Sequence, residues 1–190
     1  MSKKPKTGLQ EFKALLSNVK SITSWAVNGI ILVPLADVVL KLGPPWPKGV
    51  PILTSLAELL VLMCIFQFCF RASRKRLSRC MLIAIFVMCL SFFGYLILVN
   101  SFTFSPPSTT ARYAKGFSVR SNVKPLINDQ YTENDALQDA EYDPKNVWEP
   151  WSITTVEVSL LALWLILFGS LSLFVGAFVM FQQRKTSWRK

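Results

Sequence analysis

The sequence predicts an all-α membrane protein. The expected architecture is a four-transmembrane-helix bundle with an N-terminal amphipathic helix and a small extracytoplasmic domain between helices three and four. Two observations predict it. Apolar residues make up 52% of the 190-residue chain, and they are gathered into four blocks of membrane-spanning length, unlike the scattered pattern of a globular core. The basic residues behind a formal net charge of +10 sit mainly at the ends of those blocks, where Lys and Arg keep a segment on the cytoplasmic side.

Residues 1–24 are polar and basic. Leu9, Phe12, Leu16 and Val19 recur there at helical spacing, with Lys13 and Lys20 elsewhere on the helix, which predicts an amphipathic helix lying on the inner leaflet or docking a cytoplasmic partner. The first span is expected at 25–42, about 27 Å of helix at 1.5 Å per residue. Pro34 inside it removes a backbone donor and predicts a kink. This block starts late, carries Asn28, Pro34 and Asp37, and has no small-residue cleavage site after it, so it reads as a retained span and not a signal peptide. A proline-rich turn, GPPWPKGVP, follows, with Trp46 in the character of an interfacial anchor. The second span is expected at 52–70, a tight basic turn at 71–79, and the third span at 80–99.

Residues 100–151 change in composition and are expected to form the extracytoplasmic domain. Thr132 is suited to cap a helix, with Asp135 three residues later and Ala136, Leu137 and Ala140 inside it. Asp143 before Pro144 then breaks that helix and starts a short second one through Trp148. Trp148 and Trp151 are expected to mark the return to the membrane interface. The last apolar block, 152–181, is longer than one bilayer crossing, which places its first turns above the membrane. Residues 182–190 form a basic tail.

Orientation follows from counting. The N-terminal segment, the turn at 71–79 and the C-terminal tail hold 5, 5 and 4 Lys or Arg, fourteen of the twenty-one, against the single acid Glu11. The first loop with its flank and the large third loop hold the other seven, beside seven acids. Both termini are therefore expected in the cytoplasm of a bacterial cell with this chain in its inner membrane. A net charge explained by topology argues against direct nucleic-acid binding.

The chain has no histidine, the usual acid–base group near neutral pH and the commonest metal ligand. Its four cysteines, Cys64, Cys69, Cys80 and Cys89, lie within or at the edge of apolar blocks and form no CxxC. No GxSxG, P-loop or HExxH occurs. The expectation is a protein that is not an enzyme and needs no cofactor or metal.

Three groups of residues stand out. Asp37 and Glu58 are carboxylates at similar depth in the first two spans, and Lys41 is one turn beyond Asp37. Ionisable groups in a span mark either a structural lock or an ion or proton path. Glu157 falls just above the last span and is less telling. Gly169, Ser172 and Gly176 form a small-residue seam, expected to pack between subunits of an oligomer, with packing inside one subunit as the alternative. Arg71, Arg74, Lys75, Arg76 and Arg79 form a basic cluster suited to topology, lipid headgroups or a cytoplasmic docking partner.

The whole-chain layout of 190 residues, four spans, basic cytoplasmic ends and one extracytoplasmic insert before the last span resembles the KwaA family, the membrane subunits of the Kiwa anti-phage defence system. The resemblance covers the full length and is carried by architecture, not by a short motif. It implies a homo-oligomer that senses infection at the inner membrane and works with a cytoplasmic DNA-binding partner, KwaB. The expectation is thus a non-enzymatic sensor or anchor subunit. The alternatives are an oligomeric pore or ion-conducting effector with Asp37 and Glu58 along its path, or an accessory subunit of a larger complex.

Overall fold

The computed structural model describes residues 43–47, 49–69, 72–107, 111–128 and 131–186. The expected amphipathic segment, the first span with Asp37 and Lys41, Arg71 of the basic cluster, and residues 187–190 lie outside the described residues.

What is described is mostly helical. Three helices are long and apolar enough to cross a membrane: α1 (Val50–Cys69), α2 (Arg74–Phe102) and α5 (Pro150–Thr186). Their apolar stretches have mean hydropathies of 2.1, 2.7 and 2.4. At 1.5 Å per residue α1 is about 30 Å long, the thickness of a hydrocarbon core, and α5 is about 55 Å. Leu, Met and Ala favour these helices, and Pro51 sits in the first turn of α1, where a missing N–H does no harm. Less than a third of each apolar stretch is buried; Ile52 and Phe68 on α1 and Leu82, Phe86 and Ile97 on α2 are all exposed. A water-soluble bundle does not leave such surface bare, whereas lipid covers it. Hydroxyls within or beside these helices bond back to their own backbone: Ser55 to Pro51 O at 2.9 Å, Thr103 to Val99 O at 2.6 Å, and Ser170 to Leu167 O at 2.8 Å. That satisfies the donors where no water is available.

The chain divides into two compact units, with α2 and α5 contributing to both. In the first unit, among the described residues, are Pro51–Leu90 and the part of α5 from Leu165. Its core gathers Ile65, Leu77, Ala177 and Met180, packed against by Val61, Phe66, Leu173 and Phe181. These residues come from the end of α1, the start of α2 and the end of α5.

The second unit comprises Gly43–Val50 and Ser91–Trp164. Strands β1 (Thr103–Phe104) and β2 (Tyr113–Ala114) pair antiparallel, Thr103 opposite Ala114 and Phe104 opposite Tyr113. The chain then runs beside the segment that precedes α5. Arg120 N donates to Val147 O at 2.9 Å and Glu149 N donates to Ser118 O at 2.9 Å. A 3-10 turn (Lys124–Leu126) leads to α3 (Glu133–Asp139) and α4 (Pro144–Val147).

Thr132 caps α3 in a reciprocal box with Asp135, and Asp143 caps α4 through Lys145 N at 3.0 Å, both as expected from sequence. The end of α3 differs from expectation. Ala140 caps the helix, and Glu141 and Tyr142 follow with φ of 53° and 62°. Tyr142 N donates to Leu137 O and Glu141 N to Gln138 O, both near 3 Å (2.9 and 3.0 Å). This is a Schellman termination with glutamate where glycine is usual. So the helix is closed before Asp143-Pro144 is reached.

Trp148 also departs from its expected place. It is fully buried, pairs with Val119 in an isolated bridge, and lies 6.5 Å from the Phe104 ring centre. It is a core residue of the second unit and no interfacial anchor; Trp151, three residues on, is exposed and stacks edge-on against Phe117 at 5.0 Å.

A candidate functional site around Glu58

Glu58 lies near the middle of α1, an otherwise apolar helix whose other described residues carry no formal charge. It is 1% exposed. Among the described residues neither Oε1 nor Oε2 has a hydrogen-bond partner. Thr54, one turn earlier, is buried with it, as is Ile65. Residues 54, 58, 61 and 65 share one face of an α-helix, so the carboxylate belongs to the packed side of α1.

That side meets the small-residue seam of α5. A side chain added at Gly169 would touch Val61 at 3.7 Å, and one added at Gly176 would meet Ile65 at 3.1 Å and Leu62 at 3.3 Å. The pairs 61 with 169 and 65 with 176 ascend together, so α1 and α5 run in the same direction. Between the two glycines, Ser172 is fully buried and its Oγ has no partner among the described residues. Within the single chain, Gly169 and Gly176 thus sit against α1. Gly169 and Gly176 let a neighbouring helix approach closely, and that helix is α1 of the same chain.

The basic cluster does not form a free turn. Arg74, Lys75, Arg76 and Arg79 lie in the first two turns of α2, which begins six residues before the expected start of its span at Cys80. Ser73 caps this end, its Oγ accepting from Arg76 N at 3.4 Å. Four cations at a helix N-terminus oppose the helix dipole, and no acid in the first turn offsets them. Helix stability is therefore not what places them there. Arg74 finds a partner inside the unit, with its guanidinium 5.5 Å from the centre of the Phe181 ring. Lys75, Arg76 and Arg79 are exposed. Glu157 is half-buried on α5, within the second unit.

Asp37, Lys41 and Glu58 are expected together; only Glu58 is among the described residues. Thr54 and the burial of Ser172, beside a carboxylate-bearing helix face, are not expected from the sequence. The i, i+4 spacing of Thr54 and Glu58 was the signal available for the first, and the seam itself for the second. No family model matches the chain, and it matches neither a curated protein nor a solved structure.

Proposed function

We propose that this chain is a non-enzymatic sensor or anchor subunit of a bacterial inner membrane. In this reading it is a KwaA-like component of an anti-phage defence complex, acting as a homo-oligomer with a cytoplasmic DNA-binding partner. The observation that carries the reading is the division of chemistry between the two units. The ends of α1 and α5 and the start of α2, with Arg74, Lys75, Arg76 and Arg79, belong to one unit. The end of α2, the start of α5 and the mixed-charge loop with its own small core belong to the other. Lys and Arg gathered at one set of helix ends are the cytoplasmic mark. The loop of the second unit is then the outward-facing part, large enough to receive a stimulus.

Homo-oligomerisation rests on the family resemblance, because the seam residues Gly169 and Gly176 are occupied by α1 of the same chain. Subunits meet instead through the outward apolar faces of the helices. A pore lined by Glu58 is the weaker reading, since Glu58 lies on the inward face of α1.

Co-purification tests the role directly. Tagged full-length protein, solubilised in mild detergent from cells that carry its genomic neighbourhood, should bring down a cytoplasmic partner. A variant lacking residues 1–20 should insert normally and lose that partner. Full-length protein that retains no partner, or a truncation that retains it undiminished, contradicts the docking role.

A further inference from the structure

The buried face of α1 carries a carboxyl group for which the described residues offer no hydrogen-bond partner. Glu58 is 1% exposed and both its oxygens lack partners among the described residues. Across from the same face, Ser172 on α5 is also fully buried and unpartnered. Two independent polar groups, one on each of two helices that pack together, thus remain without a partner among the described residues. An ionised carboxylate in such surroundings requires a counter-charge, and a bare one is strongly disfavoured. The ionisable groups on the surrounding helices are few. Over residues 81–102 of α2 they are Cys89 and Tyr95, and residues 158–182 of α5 contain none. On α1 itself only Cys64 and Cys69 accompany Glu58, and none of these is a cation at neutral pH. Asp37 and Lys41 lie outside the described residues.

We propose that the counter-charge is a proton, and that Glu58 is an intramembrane proton-binding site. The carboxyl group exchanges its proton with water only when the packed face of α1 opens. Proton occupancy is thereby tied to the packing of α1, which gives the first unit a means of registering a change in its packing. This inference does not depend on the identity of any partner.

A carboxylic acid buried in apolar surroundings has a characteristic reaction with a carbodiimide. The acid O–H adds across one C=N bond: the carboxyl oxygen bonds to the central carbon and the proton passes to nitrogen. The O-acylisourea then rearranges to a stable N-acylurea, with no atom lost and no oxidant involved. Native membranes holding the full-length protein are treated at neutral pH with dicyclohexylcarbodiimide, which enters lipid, or with a water-soluble carbodiimide, which does not, and the peptides are mapped by mass.

The expected result is an adduct on the α1 peptide at Glu58 from the hydrophobic reagent alone, and its loss in Glu58→Gln. An α1 peptide left unmodified by the hydrophobic reagent overturns the proposal. Equal modification by the water-soluble reagent overturns it as well, because it would show a hydrated carboxylate. Should the Glu58→Gln protein fail to fold, the adduct position in the wild-type peptide decides the matter by itself.

Discussion

Gly116 shows how closely the second unit is packed. A Cβ there would stand 2.6 Å from Trp148 Cβ and against the hydroxyl of Ser152, two residues that are fully buried. No described glycine has a positive φ, so it is space and not backbone conformation that requires glycine. Gly116→Ala should therefore lower stability by about 1–3 kcal/mol, the usual range for overpacking. Gly49 serves as the control, because nothing lies within 4 Å of a Cβ built there; Gly49→Ala should stay within about 0.5 kcal/mol. Thermal unfolding in detergent, followed by tryptophan fluorescence, checks both. Close approach of this kind leaves no trace in composition or spacing, which is why Gly116 could not be read from the sequence. The burial of Trp148 was hidden for a similar reason. An aromatic residue ahead of an apolar helix looks like a membrane anchor, whereas here the pairing with Val119 and packing beside Phe104 and Gly116 hold it inside. The caps at Thr132 and Asp143 were legible because they depend on residues two or three positions away.

At the scale of single elements, α3 is tied by groups that titrate. Asp135 accepts from Thr132 N and Oγ1, each at 2.7 Å, and these bonds hold its carboxyl below the ordinary value of 3.8. Tyr131 Oη donates to Asp139 Oδ2 at 2.7 Å, which pushes the phenol above its ordinary 10.0. A depressed acid contributes stability above its unfolded pKa and loses that contribution as pH falls through the folded value. A raised group contributes below its unfolded pKa and loses the contribution as pH rises through the folded value. Helix α3 should accordingly loosen below about pH 4 and again above about pH 10. Amide exchange of residues 133–139 across the pH range, corrected for intrinsic rates, measures this, and Asp135→Asn should flatten the acid limb alone. A constant degree of protection at both extremes would show that the caps contribute nothing.

The α1–α5 pair offers a second element-scale test. A Cβ at Gly176 already meets Ile65 at 3.1 Å and Leu62 at 3.3 Å, whereas one at Gly169 has 3.7 Å to Val61. Gly176→Leu should destabilise the fold by about 2–3 kcal/mol, while Gly169→Ala should be nearly neutral. If the seam works within one subunit, the subunit number of the folded Gly176→Leu fraction stays unchanged by native mass spectrometry. Dissociation of a folded assembly would place the seam between subunits. The sequence showed the seam but not its partner, because small residues admit any helix. Helix ends were also misjudged for a physical reason. Hydropathy marks contact with lipid, while Lys and Arg are good helix formers, so α2 continues through its basic residues to Ser73, which caps it.

At the scale of the whole molecule, the account rests on three apolar helices, on basic helix ends that belong to one unit, and on a mixed-charge loop with its own core that belongs to the other. Both features arise from the bilayer as solvent. Helices satisfy their own backbone bonds where water is absent, and cationic ends resist translocation. The apolar blocks were therefore the most legible part of the chain, and the interior of the second unit the least. The most direct test is cysteine accessibility, in a protein whose Cys64, Cys69, Cys80 and Cys89 are replaced by serine or alanine. Single cysteines are placed at Asn134 on α3 and at Ser73 before α2, both exposed positions, and intact cells are treated with a membrane-impermeant maleimide that passes the outer membrane. The account predicts labelling at position 134 in intact cells and at position 73 only after the inner membrane is permeabilised. Labelling of position 73 from outside, or equal labelling of both sites, would contradict it.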